Sequence, residues 1–210
     1  MFYCIAHVVV SFLAKIFFRL KVIGEENVPK QGGVVVSANH NSYFDIPLLG
    51  CALSRRADNI AKRELFNNRI VSAFFRSLGG FPIKRGQADH GAIREAVKRL
   101  RAGHLLSFYP EGTRSRDGRL QKGKPGVGMI VAESGVLVVP AFIQGTAPVR
   151  IFRQVTICFG KPIDFSEQII NARKEGMNQK ILYGTISAGI MVGIALLQRG
   201  LVNEKSVSGE

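Results

Sequence analysis

The sequence is poor in cysteine and has no CxxC pair. Its three cysteines, Cys4, Cys51 and Cys158, are odd in number and lie far apart in the 210-residue chain. This pattern argues against a disulfide framework or a structural zinc site and favours reduced thiols. The chain also has no run of about 18 to 20 strongly apolar residues, which argues against an ordinary transmembrane helix.

Several catalytic and cofactor motifs are missing as well. The sequence contains no GxSxG nucleophile elbow, no P-loop, no GxGxxG fingerprint and no His/Cys cluster with metal-ligand spacing. We therefore expect no metal site and no obvious side-chain nucleophile. A general base in such a protein would act on a hydroxyl group that belongs to the substrate.

Acidic residues are scarce relative to basic ones. The 29 Lys and Arg residues outnumber the 15 Asp and Glu residues, which gives a formal net charge of +14. An excess of this size indicates an anionic partner: a nucleic acid, a membrane surface or a phosphorylated substrate. Residues 84–124 hold 11 basic and 4 acidic side chains, so half of the net charge lies in about a fifth of the chain. This concentration favours a binding site, and a solvated basic face is the alternative.

Both ends of the chain carry unusual apolar segments. Residues 1–14 are mostly apolar and are followed by the positive charges of Lys15, Arg19 and Lys21, the reverse of the order in a secretory signal peptide. We expect a helix over residues 1–19 that either packs on the domain or lies in a bilayer interface. Residues 181–197 are uncharged and contain a GxxxG spacing, so they predict a C-terminal helix that is buried or in contact with a membrane. Residues 198–210 are predicted to form a solvated tail.

The middle of the chain, residues 20–180, is predicted to be one α/β domain. Short β-branched or aromatic runs predict strands at 20–23, 34–37, 59–61, 81–84, 105–108, 136–142 and 155–159. Mixed segments predict helices at 43–53, 69–78, 91–101 and 126–133. This alternation favours a largely parallel central sheet flanked by helices, with ligand sites on the loops at strand ends.

The first polar cluster contains His40 and Asp45 and lies directly after an apolar run. A carboxylate beside an imidazole can fix its tautomer, so the pair suits general base catalysis. Side chains five positions apart on one helix diverge by about 140°, so His40 must precede the helix and fold back over it. Ser42 and Asp45 also fit a capping box, so a helix cap and a polar turn residue are the alternative.

Two further clusters are turns that carry arginine. Arg85 follows a glycine pair and a predicted strand, whereas Glu111 and Arg114 lie three positions apart in a turn that contains proline, glycine and threonine. Arginine at such turns can bind a phosphate through two parallel hydrogen bonds. A solvated arginine on a tight turn is the alternative, but two separate turns of this kind favour a phosphate cradle.

Together the clusters resemble the motifs of the glycerolipid acyltransferase family, specifically the 1-acylglycerol-3-phosphate acyltransferases. Four blocks match in order, over about residues 20–165. The matching residues are Asn39, His40 and Asp45; Gly80 to Arg85; Tyr109 to Ser115; and Val138 to Ala141. Two departures are Tyr109 in place of the usual Phe and Ala141 in place of Val.

The resemblance implies acyl transfer from acyl-CoA or acyl-carrier protein to the free hydroxyl of lysophosphatidic acid, with no cofactor. It assigns His40 as the general base and Asp45 as its orienting carboxylate. It implies that six residues bind the phosphate of the substrate: Arg85, Glu111, Gly112, Thr113, Arg114 and Lys122. It also implies a monotopic protein on an anionic membrane surface, which we expect at the cytoplasmic face.

Three alternatives remain. The same chemistry could serve another acceptor, such as glycerol 3-phosphate, another lysophospholipid or a lyso-aminolipid. A nucleic-acid-binding module would use the basic surplus, but the sequence lacks an RNP-like aromatic strand and zinc-finger spacing. A non-catalytic lipid-binding protein would keep the fold without turnover.

Overall fold

The computed structural model describes residues 12, 14, 16–77, 79–83, 90–115, 117–148 and 150–208. The strands are β1 (Lys21–Ile23), β2 (Val34–Ala38), β3 (Ala57–Lys62), β4 (Gly80–Ile83), β5 (Leu105–Phe108), β6 (Leu137–Gln144) and β7 (Thr156–Phe159). The α-helices are α1 (Asp45–Cys51), α2 (Arg69–Ser77), α3 (His90–Arg101), α4 (Pro125–Ser134), α5 (Ser166–Lys174) and α6 (Gln179–Ser208). Short 3₁₀ turns occur at Glu25–Asn27 and Arg63–Phe66.

All seven strands join one sheet in the order β1-β7-β6-β2-β5-β3-β4. The five strands from β6 to β4 are parallel to their neighbours, whereas β7 is antiparallel to β6 and β1 is parallel to β7. A parallel connection needs a crossover, usually a helix. The described residues between β6 and β7 form turns and no helix, and the chain returns antiparallel there. The expected α/β class with a largely parallel, helix-flanked sheet is confirmed.

The central strand β2 is buried on both faces, as a parallel strand covered by helices must be. Val35 faces a core formed with α3, α4, α5 and α6, whereas Val34 and Val36 face a second core that includes α1. Cys158 packs against the first core and Cys51 against the second, so these two thiols lie on opposite faces of the sheet. Cys4 lies outside the described residues.

The described part of the N-terminal segment is helical and contacts the second core. Ala14 is buried in that core, and Phe18 packs against it. Phe12, Ile16 and Phe17 are exposed. This segment therefore packs on the domain and also presents apolar side chains to the outside. Most of the predicted helix at 1–19 lies outside the described residues, so its full extent stays a prediction.

The C-terminal helix α6 differs from the prediction in length. A solvated tail was predicted from residue 198, but α6 continues to Ser208 and buries Leu201 in the first core. Gly200 alone does not end a helix, and Leu197 and Leu201 extend the inner apolar stripe by one further turn. One stretch of α6, Gln179–Leu201, is long and apolar enough to cross a membrane by length and composition, and 28% of its apolar 18-residue window is buried within the domain. This differs from the expectation that the chain has no run of that kind.

Candidate active site

The site lies where β2 and β5 end side by side. Because Ser37 is paired with Phe108 in parallel register, the segments after these strands leave the same edge of the sheet. Asn39, just after β2, is hydrogen-bonded to β6, which lies on the other side of β2 from β5. Its amide donates to the carbonyl of Ile143 at 3.0 Å, and its Oδ1 accepts the Ile143 N–H at 2.7 Å. The Asn39 side chain thus fixes the backbone immediately before His40.

His40 and Asp45 form a buried pair. His40 Nδ1 lies 2.9 Å from Asp45 Oδ2, an oxygen that also accepts the N–H groups of Asn41 at 2.6 Å and Ser42 at 2.7 Å. An ionised carboxylate only accepts hydrogen bonds, so Nδ1 carries the proton and Nε2 is left with its lone pair. His40 precedes α1 and folds back over its first turn, as the sequence requires of such a pair.

The turn after β5 clamps the backbone of His40. The His40 N–H points to Glu111 Oε1 at 3.4 Å, and the His40 carbonyl accepts the Ser115 N–H at 2.7 Å. Glu111 is buried, and burial raises the pKa of its carboxyl, an effect that the N–H groups of His40 and Gln121 partly offset. Glu111 therefore lies inside the turn and holds two loops together.

Tyr109 covers one side of the imidazole. Its ring centroid lies 4.4 Å from that of His40, with the planes tilted by 30°. Burial, together with the charge of Asp45, holds the pKa of the Tyr109 phenol well above its ordinary value, so the ring stays neutral. Tyr109 thus packs against one face of the imidazole, while Asp45 holds its edge through Nδ1. Its role was not assigned from the sequence, where only the change from Phe was visible.

Arg114 and Tyr43 meet at the mouth of the site. The guanidinium carbon of Arg114 lies 3.5 Å from the centroid of the Tyr43 ring, and both side chains are exposed. Arg114 directly precedes Ser115, whose N–H binds His40. The structure therefore brings Arg114, Glu111 and the His40–Asp45 pair together.

Lys124 also approaches this turn and was missed by the sequence analysis. Gly112 has φ +69°, and a Cβ at this glycine would lie 3.1 Å from Lys124 Nζ. The Lys124 N–H donates to the Pro110 carbonyl at 2.8 Å, which fixes the residue just before α4. Lys124 lies within the basic segment 84–124, but the resemblance assigned Lys122 rather than Lys124 to the phosphate.

The remaining predicted phosphate ligands are placed differently. Thr113 and Lys122 are exposed, and Thr113 Oγ1 has Gln121 Oε1 as a neighbour at 3.4 Å. Arg85 lies outside the described residues, so its role stays a prediction. Among the described residues there is no group of three His, Cys, Asp or Glu side chains that could hold a metal ion.

Comparisons with known proteins identify the family. A family model described as Acyltransferase matches residues 19–144. The 1-acyl-sn-glycerol-3-phosphate acyltransferase of Bacillus subtilis is 30% identical over 175 residues, which are 77% of this chain and 86% of the relative. The chloroplastic enzyme LPAT1 of Arabidopsis thaliana, also named a 1-acyl-sn-glycerol-3-phosphate acyltransferase, is 33% identical over 63% of this chain, which spans 38% of that longer protein.

A solved structure shows the same fold. The crystal structure of the 1-acyl-sn-glycerophosphate acyltransferase PlsC from Thermotoga maritima matches this chain with a TM-score of 0.64 and 30% sequence identity. The match covers 88% of this chain and 78% of the Thermotoga maritima chain. The family model spans more than half of the chain and includes His40, Asp45, Glu111 and Arg114. This chain is therefore a member of the acyltransferase family.

Proposed function

We propose that this chain transfers an acyl group from acyl-CoA or acyl-carrier protein to the free hydroxyl of lysophosphatidic acid, giving phosphatidic acid. The observation that carries the proposal is the 2.9 Å contact between His40 Nδ1 and Asp45 Oδ2. The names of the Bacillus subtilis and Thermotoga maritima relatives support the acceptor.

In this mechanism His40 Nε2 takes the proton of the acceptor hydroxyl as its oxygen attacks the thioester carbonyl carbon. The tetrahedral intermediate collapses, the C–S bond breaks, and the imidazolium returns the proton to the leaving thiolate. Asp45 stabilises the imidazolium while it exists and keeps Nδ1 protonated throughout. A positioned general base of this kind accelerates a reaction by about 10²–10⁴-fold. No acyl-enzyme is required.

The phosphate of the acceptor binds at the turn after β5. Arg114 and Lys124 supply positive charge there, and Lys122 and Thr113 border the same segment. A carboxylate repels a phosphate dianion, so buried Glu111 contributes by fixing the turn through the His40 N–H. Arg85 is the further arginine that we assign to this cradle.

The substrate is a lipid, so the enzyme must collect it at a membrane. We propose a monotopic attachment at the cytoplasmic face, made by the N-terminal apolar patch: Phe12, Ile16, Phe17, Ile151 and Phe152, all exposed. The Phe152 N–H donates to the Phe17 carbonyl at 2.7 Å, which joins the two parts of this patch. Each basic residue close to an anionic leaflet adds about 1 kcal/mol of attraction.

The test is acyl transfer by the purified protein from labelled acyl-CoA or acyl-carrier protein. Wild-type protein should acylate lysophosphatidic acid, and His40→Ala should reduce turnover by at least about 10²-fold while vesicle binding is unchanged. Unchanged turnover in His40→Ala would show that His40 is not the base. The same assay with glycerol 3-phosphate, other lysophospholipids and a lyso-aminolipid tests the acceptor, and faster acylation of any of these would replace lysophosphatidic acid.

A further inference from the structure

Tyr43 has no role in the chemistry described above, yet it holds a defined position at the site. Its side chain is 66% exposed, a large fraction for an aromatic residue. Its ring nevertheless lies against the guanidinium of Arg114, with 3.5 Å between the ring centroid and the guanidinium carbon. A separation this short corresponds to a stacked cation–π contact.

The backbone of Tyr43 belongs to the turn that holds the catalytic carboxylate. The Ser42 N–H donates to Asp45 Oδ2, and the Asp45 N–H donates to the Ser42 carbonyl at 3.3 Å. Tyr43 lies inside this closed turn. Its position is therefore set by the same carboxylate that orients His40.

Arg114 is tied to the base from the other side. Its neighbour Ser115 donates its N–H to the His40 carbonyl at 2.7 Å. These contacts connect His40 and Arg114 in two ways. His40 and Tyr43 belong to the same turn, and the Tyr43 ring stacks on Arg114. Ser115, the residue after Arg114, binds the His40 carbonyl directly. Loss of the stack would leave the guanidinium attached at the backbone only, with the full rotamer freedom of an exposed arginine.

We propose that Tyr43 is a positioning residue that fixes Arg114 for the phosphate of the acceptor. The inference rests on the proposed function, in which Arg114 binds that phosphate. A stacked guanidinium keeps its N–H groups in its own plane, directed away from the ring, where they can bind two phosphate oxygens. The stack thereby sets the separation between the base and the phosphate site.

This separation matters for the choice of acceptor. In lysophosphatidic acid with the acyl chain on the first carbon, the free hydroxyl and the phosphate are on adjacent carbons of the glycerol. A guanidinium that is held against Tyr43 has a smaller range of distances from the imidazole than a freely rotating one.

The experiment compares Tyr43→Leu, Tyr43→Phe and Tyr43→Trp, with a short-chain, water-soluble lysophosphatidic acid as acceptor so that membrane binding does not contribute. An exposed cation–π contact corresponds to about a twofold to fivefold change in binding. We expect Tyr43→Leu to raise KM for this acceptor by that factor and to leave kcat and KM for acyl-CoA unchanged. Phe should restore the wild-type KM, and Trp should match or lower it.

Two controls separate the inference from the function on which it rests. In an Arg114→Ala background, Tyr43→Leu should cause no further rise in KM. With a monoacylglycerol that lacks the phosphate, Tyr43→Leu should have no effect. If Arg114→Ala leaves KM for lysophosphatidic acid unchanged, the phosphate role of Arg114 is wrong and the inference falls with it. If Arg114→Ala raises KM but Tyr43→Leu does not, or if Phe behaves like Leu, only the role of the Tyr43 ring is refuted.

Discussion

One carboxylate oxygen of Asp45 orients the base and closes the turn before α1, whereas the N-cap position of α1 is Phe44 and has no side-chain cap hydrogen bond. The spacing of Ser42 and Asp45 fits a helix cap, and the spacing of His40 and Asp45 fits a base with its orienting group. Asp45 Oδ2 accepts hydrogen bonds from His40 Nδ1 and from the Asn41 and Ser42 N–H groups together. The turn that precedes α1 thus orients the imidazole.

Replacement of Asp45 by Asn should keep the hydrogen bonds and remove the charge. The amide oxygen of Asn, placed where Asp45 Oδ2 lies, can still accept the backbone N–H groups and the Nδ1 proton, but a neutral amide does not stabilise the imidazolium that forms during proton transfer. We expect a fall in kcat of the order of 10³–10⁴-fold, the scale known for the equivalent change in a serine-protease triad, with KM for the acceptor little changed. Steady-state kinetics beside circular dichroism would measure this, and near-normal kcat in a folded Asp45→Asn protein would contradict the proposed mechanism.

Glu111 makes a prediction about stability. Because burial raises the pKa of Glu111, the folded protein holds this proton more tightly than the unfolded chain. Protonation of Glu111 therefore contributes to the free energy of unfolding at low pH. This contribution is lost as pH rises from the ordinary carboxyl pKa, about 4.3, through the raised value in the fold. The side chain introduced by Glu111→Gln does not titrate. The unfolding free energy of this variant should therefore rise relative to that of wild type as pH increases across that window. Urea unfolding at several pH values measures this shift.

The matched control is Glu167→Gln, which removes a carboxylate from the exposed surface of α5. If the Glu111→Gln difference stays constant with pH, or changes no more than that of the control, the buried carboxyl does not contribute to the pH dependence of stability.

At the level of elements, the sequence predicted the strands better than their directions. All seven strands lie where β-branched and aromatic runs predict them, because the central ones are buried on both faces. The antiparallel direction of β7 goes with a connection from β6 whose described residues form turns and no helix, and the apolar periodicity of the strands does not indicate strand direction. Helix α5 was not predicted, since only Ile169 and Ala172 of its residues are buried and its apolar pattern is weak.

The site was predictable where chemistry depends on sequence spacing and not where it depends on long-range contact. His40 and Asp45 are five residues apart, so their pairing was visible in the sequence. The approach of Lys124 to Gly112 depends on how α4 begins after a long turn. The stack of Tyr43 on Arg114 joins residues from two strand ends, and only the parallel register of β2 and β5 brings them together.

The glycines near α6 make a prediction at this scale. A Cβ at Gly128 of α4 would lie 2.0 Å from the carbonyl oxygen of Tyr183, so the two helices are in backbone contact there. Gly184 of α6 has no atom within 4 Å of its own Cβ position. Gly128→Ala should cost about 1–3 kcal/mol of unfolding free energy, whereas Gly184→Ala should stabilise by up to about 1 kcal/mol. Thermal and urea unfolding would measure both, and equal effects would contradict the docking of α6 on α4.

The whole molecule has two differently built faces. The face that includes α1 and the described N-terminal segment carries the N-terminal apolar patch, with Phe17 and Phe152 exposed. The opposite face is covered by α3, α4, α5 and α6, and it also exposes apolar side chains of α6: Ile181, Val192 and Leu196. A net charge of +14 attracts the whole protein to an anionic leaflet, but only an exposed apolar surface can enter the interface. Of these two surfaces, we expect the N-terminal apolar patch to contact the bilayer.

Two isoleucines give a matched test of that orientation. Ile151 lies in the N-terminal apolar patch and is 61% exposed, whereas Ile170 lies on α5 and is 51% exposed. Replacement of either by Ser removes about the same exposed apolar area and does not change the net charge. The two variants should therefore have similar stability. We expect Ile151→Ser to weaken binding to vesicles of anionic lipid by about fivefold or more, since a buried isoleucine side chain contributes about 1.5–3 kcal/mol, and Ile170→Ser to leave it unchanged. Sedimentation with vesicles at low and high salt would measure both. Equal losses, or a larger loss at Ile170, would place the bilayer against the helical face instead.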